Sequence, residues 1–209
     1  MAREHAKSPP SPEPTCKRPR GRPASASVDR ALMKAALGEF AARGYHAMTM
    51  ESVAARAGVS KLSLYRRWSS KLALTEELFR LLSEENIPPD CGSLEADLQA
   101  LARQSLSVAT KPRAQLILRT MGEISGNRAL MAAYRKYLLA PRMRQLRAVL
   151  ERARGRGELT VDMPVDIACS MVAGPLFVYY LALLTGFKLD LGSDLPARFT
   201  RSILNGIGI

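Results

Sequence analysis

The feature that most constrains the fold is the stretch of residues 49–74, TMESVAARAGVSKLSLYRRWSSKLAL. Thr49 is suited to cap the N-terminus of a short helix. Gly58 can adopt the left-handed conformation that ends a helix and opens a sharp turn. Between them lies an apolar stripe formed by Val53, Ala54 and Ala57. The pattern predicts a helix of two turns followed at once by a tight turn.

A second short helix is predicted over residues 61–68, capped by Ser60. A third helix begins at Lys71, with either Ser69 or Ser70 as its cap. Two short helices and a glycine-containing turn form a helix-turn-helix, which places its second helix in the major groove of DNA. The pattern alone also fits an ordinary helical hairpin in another all-α protein.

Several motifs resemble the tetracycline repressor family of DNA-binding proteins. They are A-x-x-G-Y in residues 41–45, T-M-E-S-V-A-x-x-A-G-V-S in residues 49–60 and L-Y-R-R-W-x-S-K in residues 64–71. The resemblance covers residues 28–80 without a gap. Residues 149–159 and 174–186 resemble the C-terminal domain of an actinobacterial-type branch. The resemblance implies a homodimeric repressor that a small molecule releases from DNA.

The charge distribution agrees with an anionic partner. The 209-residue chain has a net charge of +12 and a pI near 10.1. Residues 1–80 hold 15 Lys and Arg against 7 Asp and Glu, whereas residues 81–209 hold 16 against 12. The shorter first part therefore carries most of the positive excess, as expected if it binds DNA.

Composition argues against several other classes of protein. Cys16, Cys91 and Cys169 lie far apart, which predicts a reducing compartment without a disulfide framework. With only His5 and His46, no metal site is expected. The sequence contains no nucleophile elbow, P-loop or dinucleotide fingerprint, so we expect no enzymatic activity and no cofactor.

The chain is predicted to be all-α with about nine helices. A basic, proline-rich arm over residues 1–25 is expected to be disordered. A helix-turn-helix domain follows over residues 26–85, and a helical effector and dimerisation domain over residues 86–209. The predicted helices cover residues 28–43, 50–57, 61–68 and 71–84, one ends near Ala109 after its cap Ser93, and one follows Lys111. Another follows the cap Asn127, breaks at Pro141 and ends at Gly155 or Gly157, and the last two open at Pro164 and Pro196.

Residues expected to contact DNA base edges lie on the second helix of the motif. They are Lys61, Leu62, Ser63 and Arg66. Lysine and arginine can donate to guanine, serine adapts to several bases, and an apolar side chain can meet a thymine methyl. Leu62 could make that methyl contact or pack against the preceding helix. Leu64 and Trp68 are expected in the core.

Phosphate contacts are implied at three positions by the family resemblance. Tyr65 can donate its hydroxyl, while Thr49 and Lys71 lie at helix N-termini, where backbone N–H groups also favour an anion. Such contacts set register and carry little sequence information. Arg67 could bind a phosphate or remain a solvated charge.

The arm sequence K-R-P-R-G-R-P in residues 17–23 resembles a minor-groove element. Arg20 and Arg22 flank a glycine that lets the backbone approach a narrow groove. The alternative is a nonspecific basic tail that adds only electrostatic affinity.

Residues 167–187 contain no charged side chain, a length that could span a bilayer. Gly174-Pro175 is expected to break the segment, and burial in a core or a subunit interface explains its apolarity better. We therefore predict no membrane association, a cytoplasmic, nucleoid-associated protein and a four-helix dimer bundle. Its candidate residues are Phe177, Tyr180, Leu181, Leu184, Phe199, Ile203 and Leu204.

An unknown small-molecule effector is expected to bind between the central helices. Candidate lining residues are Leu98, Leu101, Gln104, Leu118, Met121, Tyr134 and Met143. Methionine and aromatic stripes also occur in ordinary cores, so both interpretations stand. The nearby arginines, Arg142 among them, could attract an acidic ligand or form a solvated face. A constitutive or architectural DNA-binding protein without an effector is the alternative function.

Overall fold

The computed structural model describes residues 23–84, 89–107, 110–159, 163–188 and 194–206. All regular secondary structure in these ranges is helical, which confirms the predicted all-α class. The helices are α1 (Pro23–Ala47), α2 (Met50–Ala57), α3 (Lys61–Tyr65), α4 (Lys71–Glu84), α5 (Leu94–Ser107), α6 (Lys111–Glu123), α7 (Arg128–Tyr134), α8 (Ala140–Gly155), α9 (Val165–Thr185) and α10 (Leu195–Gly206). A single π-helical turn, Arg135–Leu139, joins α7 to α8. When α7, this turn and α8 are counted as one helix, the described ranges contain nine helices, as predicted.

Helix α1 starts at Pro23, five residues before its predicted start, so its first turn occupies residues that were assigned to the arm. The predicted end of α1 at Gly44 is confirmed by the backbone angles. Gly44 has φ 79° and ψ 172°, and this non-helical conformation separates the main helix from a short final segment. The kink turns the chain into α2.

The helix-turn-helix forms through local capping. The Thr49 hydroxyl accepts from the Ser52 amide while the Ser52 hydroxyl accepts from the Thr49 amide, a reciprocal pair at the start of α2. Gly58 ends α2 with φ 67°. Ser60 accepts from the Ser63 amide at the start of α3, which stops at Tyr65, three residues before the predicted end.

Two hydrophobic cores hold the helices together, and the first crosses the predicted boundary after residue 85. It combines residues of α1–α4 with Leu116, Leu130, Ala133 and Leu138 from the second domain. The second core lies among α5, α8, α9 and α10. The DNA-binding motif therefore shares its core with the domain behind it.

The path from α7 to α8 corrects one prediction. Asn127 caps α7, as expected, but the chain does not break at Pro141. The π-helical turn lies directly before this proline, whose missing N–H and bulky ring disfavour a regular helical turn. A wider turn relieves that conflict, and the helical path continues to Gly155.

Helix α9 also runs unbroken through Gly174 and Pro175, contrary to the predicted break. It is the one helix, among the residues described, that is long and apolar enough to cross a membrane by length and composition alone. Its buried positions include Val172 and Tyr180, which pack inside the protein. Much of the remaining surface of α9 is exposed to solvent.

We predict that Gly44→Ala destabilises the protein. The φ and ψ of Gly44 cost a residue with a side chain about 1–3 kcal/mol. An added Cβ would also lie 2.0 Å from Oε1 of Glu123, whose carboxylate accepts from the His46 amide. Displacing that carboxylate adds about 1.5–3 kcal/mol. Urea unfolding measures the sum.

Gly58→Ala is the matched control, because Gly58 has a positive φ but open space around a new Cβ. Its cost should stay near the roughly 1–2 kcal/mol of left-handed strain. Equal losses for both variants would show that the Glu123 contact contributes nothing.

Candidate nucleic-acid interface and ligand cavity

Helix α3 presents an exposed surface made of the residues predicted to meet DNA. Lys61, Leu62, Tyr65 and Arg66 are all exposed, and Leu62 is 61% exposed. Leu62 is therefore accessible rather than packed against α2, which leaves the thymine-methyl contact open to it. Leu64 is fully buried, and Trp68 is partly buried against the first core, as predicted.

The Lys61 side chain forms an ion pair with Glu51 across the two helices of the motif. Its Nζ also lies 5.6 Å from the ring centroid of Tyr65. The hydrogen bond between Lys61 and Glu51 lowers the pKa of Glu51 and raises the pKa of Lys61. Both side chains are solvent-exposed, so the pair is weak and can exchange for a contact with DNA.

The Arg67 side chain holds α3 in place. It pairs with Asp29 of α1, and its Nη1 donates to the backbone oxygen and the hydroxyl oxygen of Ser63, both at 2.9 Å. Arg67 is thus a bridge between helices rather than a solvated charge. Ser63 is half-buried and keeps its hydroxyl proton for a base contact, which stays a prediction.

Two of the predicted phosphate ligands have structural roles of their own. Thr49 caps α2, and the Nζ of Lys71 donates to the backbone oxygens of Tyr45 and His46 at 2.8 and 3.1 Å. Ser70, not Ser69, caps α4 by accepting from the Ala73 amide. Phosphate binding by Lys71 would compete with these carbonyls and stays a prediction. Arg20 and Arg22 lie outside the described residues.

A buried carboxylate joins α1 to α2. Glu39 is 5% exposed and accepts from Nη1 of Arg56 at 3.1 Å, with Arg43 at 3.4 Å. Burial raises the pKa of Glu39, but hydrogen bonds from Ser52 and Arg56 and the nearby guanidinium charges outweigh burial, so the pKa is lowered. The ionised form of Glu39 therefore stabilises the position of α2.

The end of α1 is attached to α6 of the second domain. The guanidinium of Arg119 donates to the backbone oxygens of Ala41 and Ala42 at 2.8 and 2.9 Å. Glu123 accepts from the His46 amide at 3.0 Å. These bonds satisfy backbone groups at the end of α1 that have no partner within the helix. The orientation of the DNA-binding motif is thereby tied to α6.

A cavity of about 210 Å³ lies between α5–α9. Leu101, Gln104, Tyr134 and Met143 line it, as predicted. Leu98, Leu118 and Met121 do not, so their assignment is corrected. Leu98 is fully buried in the second core, and a helix face buried between neighbours looks the same in sequence whether it borders a core or a cavity.

The wall of the cavity also contains polar side chains outside the set of predicted lining residues. Arg142, Gln145 and Tyr180 line it. Arg142 lies four residues after Leu138 and four before Leu146, so helical spacing places it on the apolar side of its helix. From that spacing, the position of Arg142 at the cavity could have been predicted. The Arg142 side chain is partly buried and is not part of a solvated face.

Helix α9 carries an exposed apolar face. Its members are Ile167, Phe177, Val178 and Leu181, and Leu183 and Phe187 are also exposed near the end of the helix. Of the predicted interface residues, Phe177 and Leu181 are exposed, and Leu184 is partly exposed.

The other predicted interface residues lie deeper. Tyr180 and Ile203 are buried within the protomer, at 7% and 5% exposure, so their assignment to a subunit interface is corrected. Tyr180 borders the cavity, and Ile203 belongs to the second core. Phe199 and Leu204 are partly buried against the same core. The sequence pattern could not separate the two faces of α9 because both are apolar.

Comparison with known proteins accounts for this arrangement. Residues 32–78 match the family model of "Bacterial regulatory proteins, tetR family", and residues 88–193 match "Tetracyclin repressor-like, C-terminal domain". The chain belongs to the tetracycline repressor family. It is a DNA-binding transcriptional regulator of the repressor type and not an enzyme.

Individual relatives support the family assignment along most of the chain. The DNA-binding transcriptional repressor TetR of Mycobacteroides abscessus is 34% identical over 179 residues, covering 85% of this chain and 90% of the relative. The crystal structure of TetR family transcription regulator SCO0332 is 27% identical, with a TM-score of 0.61 over 88% of this chain and all of that one. FadR from Bacillus subtilis in complex with stearoyl-CoA shares the fold at 21% identity and TM-score 0.65, covering 85% and 96%.

Within this family member, Lys61 and Tyr65 are expected to make different kinds of DNA contact. Lys61→Gln should cost about 1–3 kcal/mol of discrimination at one base pair. Tyr65→Phe should weaken binding to every sequence alike, by about 1 kcal/mol, because it removes one phosphate hydrogen bond. Fluorescence anisotropy with a set of single-base operator variants measures both.

Lys111→Gln is the charge-matched control, because Lys111 is exposed at the start of α6 in the second domain. It should leave sequence preference unchanged. A uniform loss for Lys61→Gln, like that of Tyr65→Phe, would contradict base recognition by Lys61.

We also predict that Glu39 makes stability depend on pH. Because the pKa of Glu39 is lower in the folded state, its contribution is present above the ordinary value of 4.5 and is lost as pH falls through the folded-state pKa. Glu39→Gln should cost about 1–3 kcal/mol at pH 7. The difference from the parent protein should shrink in acid.

Urea unfolding at pH 7 and at progressively lower pH tests this expectation. Glu95→Gln is the control, because Glu95 is exposed at the start of α5. A Glu39→Gln deficit that persists undiminished in acid would show that the ionised carboxylate is not the cause.

Proposed function

We propose that the protein is a homodimeric repressor that binds a palindromic DNA operator and is released by a small-molecule effector. It would act in the cytoplasm on the nucleoid. The observation that carries the proposal is the exposed polar surface of α3, held by Arg67 and tied through the end of α1 to a domain that contains a cavity. Two copies of α3, one helical turn of DNA or a multiple apart, would meet the two half-sites.

Self-association is supported by the exposed face of α9. Phe177, Val178 and Leu181 are 45%, 51% and 42% exposed and lie within two turns of one helix. A contiguous apolar surface of this kind on a protein that binds DNA is typical of a subunit interface. A twofold axis would then place the same face of each protomer in contact with itself.

Effector binding is supported by the cavity and by the solved relatives. FadR from Bacillus subtilis holds stearoyl-CoA, although at 21% identity it shares only the fold. The cavity here, at about 210 Å³, is below the roughly 300–1,000 Å³ of sites that enclose drug-sized ligands. Binding would release DNA only if the ligand favours the conformation that fits the operator poorly.

Selection of bound sequences from random duplex DNA tests the proposal. We expect one enriched palindrome and a dimer in analytical ultracentrifugation. Leu181→Asp should yield a monomer and weaken operator binding at least tenfold, because one protomer contacts only one half-site. Ala132→Asp, which adds the same charge at an exposed position of α7, should do neither.

Enrichment of a single half-site by a monomeric protein would contradict the dimer. Binding without any enriched sequence would favour an architectural DNA-binding protein instead.

A further inference from the structure

The cavity has a marked charge asymmetry. Its wall contains hydroxyl and amide side chains from Gln104, Ser105, Tyr134, Gln145 and Tyr180. Arg142 supplies the one charged side chain among the described residues that line it, and no Asp or Glu does so. A guanidinium that shares a partly buried wall with hydroxyl and amide groups can bind an anionic ligand.

Arg142 shares the wall of the cavity with the phenols of Tyr134 and Tyr180. Its charge acts on the phenols of both Tyr134 and Tyr180, and Arg113 also acts on Tyr180. Burial nevertheless dominates and raises the pKa of each phenol, so both hydroxyls stay protonated near neutral pH. Two O–H donors beside a guanidinium can together bind the oxygens of a carboxylate.

Apolar surface extends away from this polar end. A second cavity of about 370 Å³ is lined by Ala102, Leu106, Pro175, Leu176, Val178, Tyr179, Leu195 and Phe199. Leu176 lines both cavities, so the two cavities adjoin at this side chain. The arrangement suits a molecule with an acid group at one end and a hydrocarbon body.

Arg142 also contacts the helix that carries the DNA-binding motif. Its Nη2 donates to the backbone oxygen of Leu82 at 3.2 Å. Leu82 lies in the last turn of α4, where carbonyls have no partner within the helix and where the dipole favours a positive charge. The same guanidinium therefore borders the cavity and caps α4.

We propose that the effector is an apolar carboxylic acid whose carboxylate binds Arg142 and competes with the Leu82 carbonyl for the guanidinium. A charge-assisted, bidentate bond to a carboxylate is stronger than a bond to a neutral carbonyl. Occupation of the cavity thus withdraws the cap from α4 and favours the conformation with low DNA affinity. This inference rests on the proposed function, since it specifies the ligand class and the release step of the same cavity.

Decanoate and the neutral 1-decanol, with the same chain length, are the test probes. Decanoate should raise the Tm of the wild-type protein and weaken operator binding about tenfold, within the usual range of coupling between two sites. It should also increase hydrogen exchange in the last turn of α4. Decanol should do none of these.

Arg142→Gln should abolish the response to decanoate, whereas Arg144→Gln, which removes the same charge at an exposed position of α8, should retain it. Tyr180→Phe provides a second variant that preserves the buried ring. It should weaken decanoate binding several-fold, and this outcome tests the inference even if Arg142→Gln folds poorly.

An equal response to decanol, an undiminished response in Arg142→Gln or no response of the wild type would each overturn the inference. The operator selection distinguishes these results from failure of the proposed function, because it requires no ligand. A palindrome recovered without any decanoate response leaves the repressor intact and rejects only the acid effector.

Discussion

The capping of the C-terminus of α1 is the interaction on which the geometry of the DNA-binding motif depends. The carbonyls there receive donors from Arg119 of α6 and from Lys71 of α4, while the His46 amide donates to Glu123. Because α2 follows α1 after only two residues, whatever fixes this end also fixes the direction of α2 and α3. The recognition helix has five residues and one buried side chain, so it cannot hold its own orientation. Its position is supplied by α1, through the pair of Arg67 and Asp29, and by the domain to which α1 is attached.

Helix α4 is consequently held at both ends by long cationic side chains. Lys71 binds α1 at its start, and Arg142 caps its last turn. Between these points, Phe79 contacts Phe40 of α1 and Tyr134 of the cavity wall, with ring centroids 6.2 and 5.9 Å apart. The aromatic contacts are part of a packed core and resist small displacements. The polar contact at Leu82 is one hydrogen bond that can exchange partners, so in the proposed mechanism it is the point at which a ligand would change the position of α4.

Local chemistry determined which parts of the fold could be predicted from sequence. The caps Thr49, Ser60 and Asn127 act within three residues, and the structure confirms each of them. The expected breaks at Pro141 and Pro175 were wrong, because a widened turn before Pro141 relieves its conflict with a regular helix and α9 continues through Pro175. The inward and outward faces of α9 were equally difficult to predict, since a largely apolar side chain such as Tyr180 fits a cavity wall, a core or a subunit interface equally well.

In the proposed repressor, helix α9 would link ligand binding to self-association through its two apolar faces. Val172 and Tyr180 are turned inward and border the cavity, while Val178 and Leu181 are exposed on the other side. Phe177 belongs to both surfaces, because it lines the cavity and is 45% exposed. In the proposed dimer, a shift of α9 against a ligand would also be a shift against the second protomer. A ligand that moves α9 would therefore change the spacing of the two α3 helices as well as the environment of α4, and both effects would act on the same DNA contact.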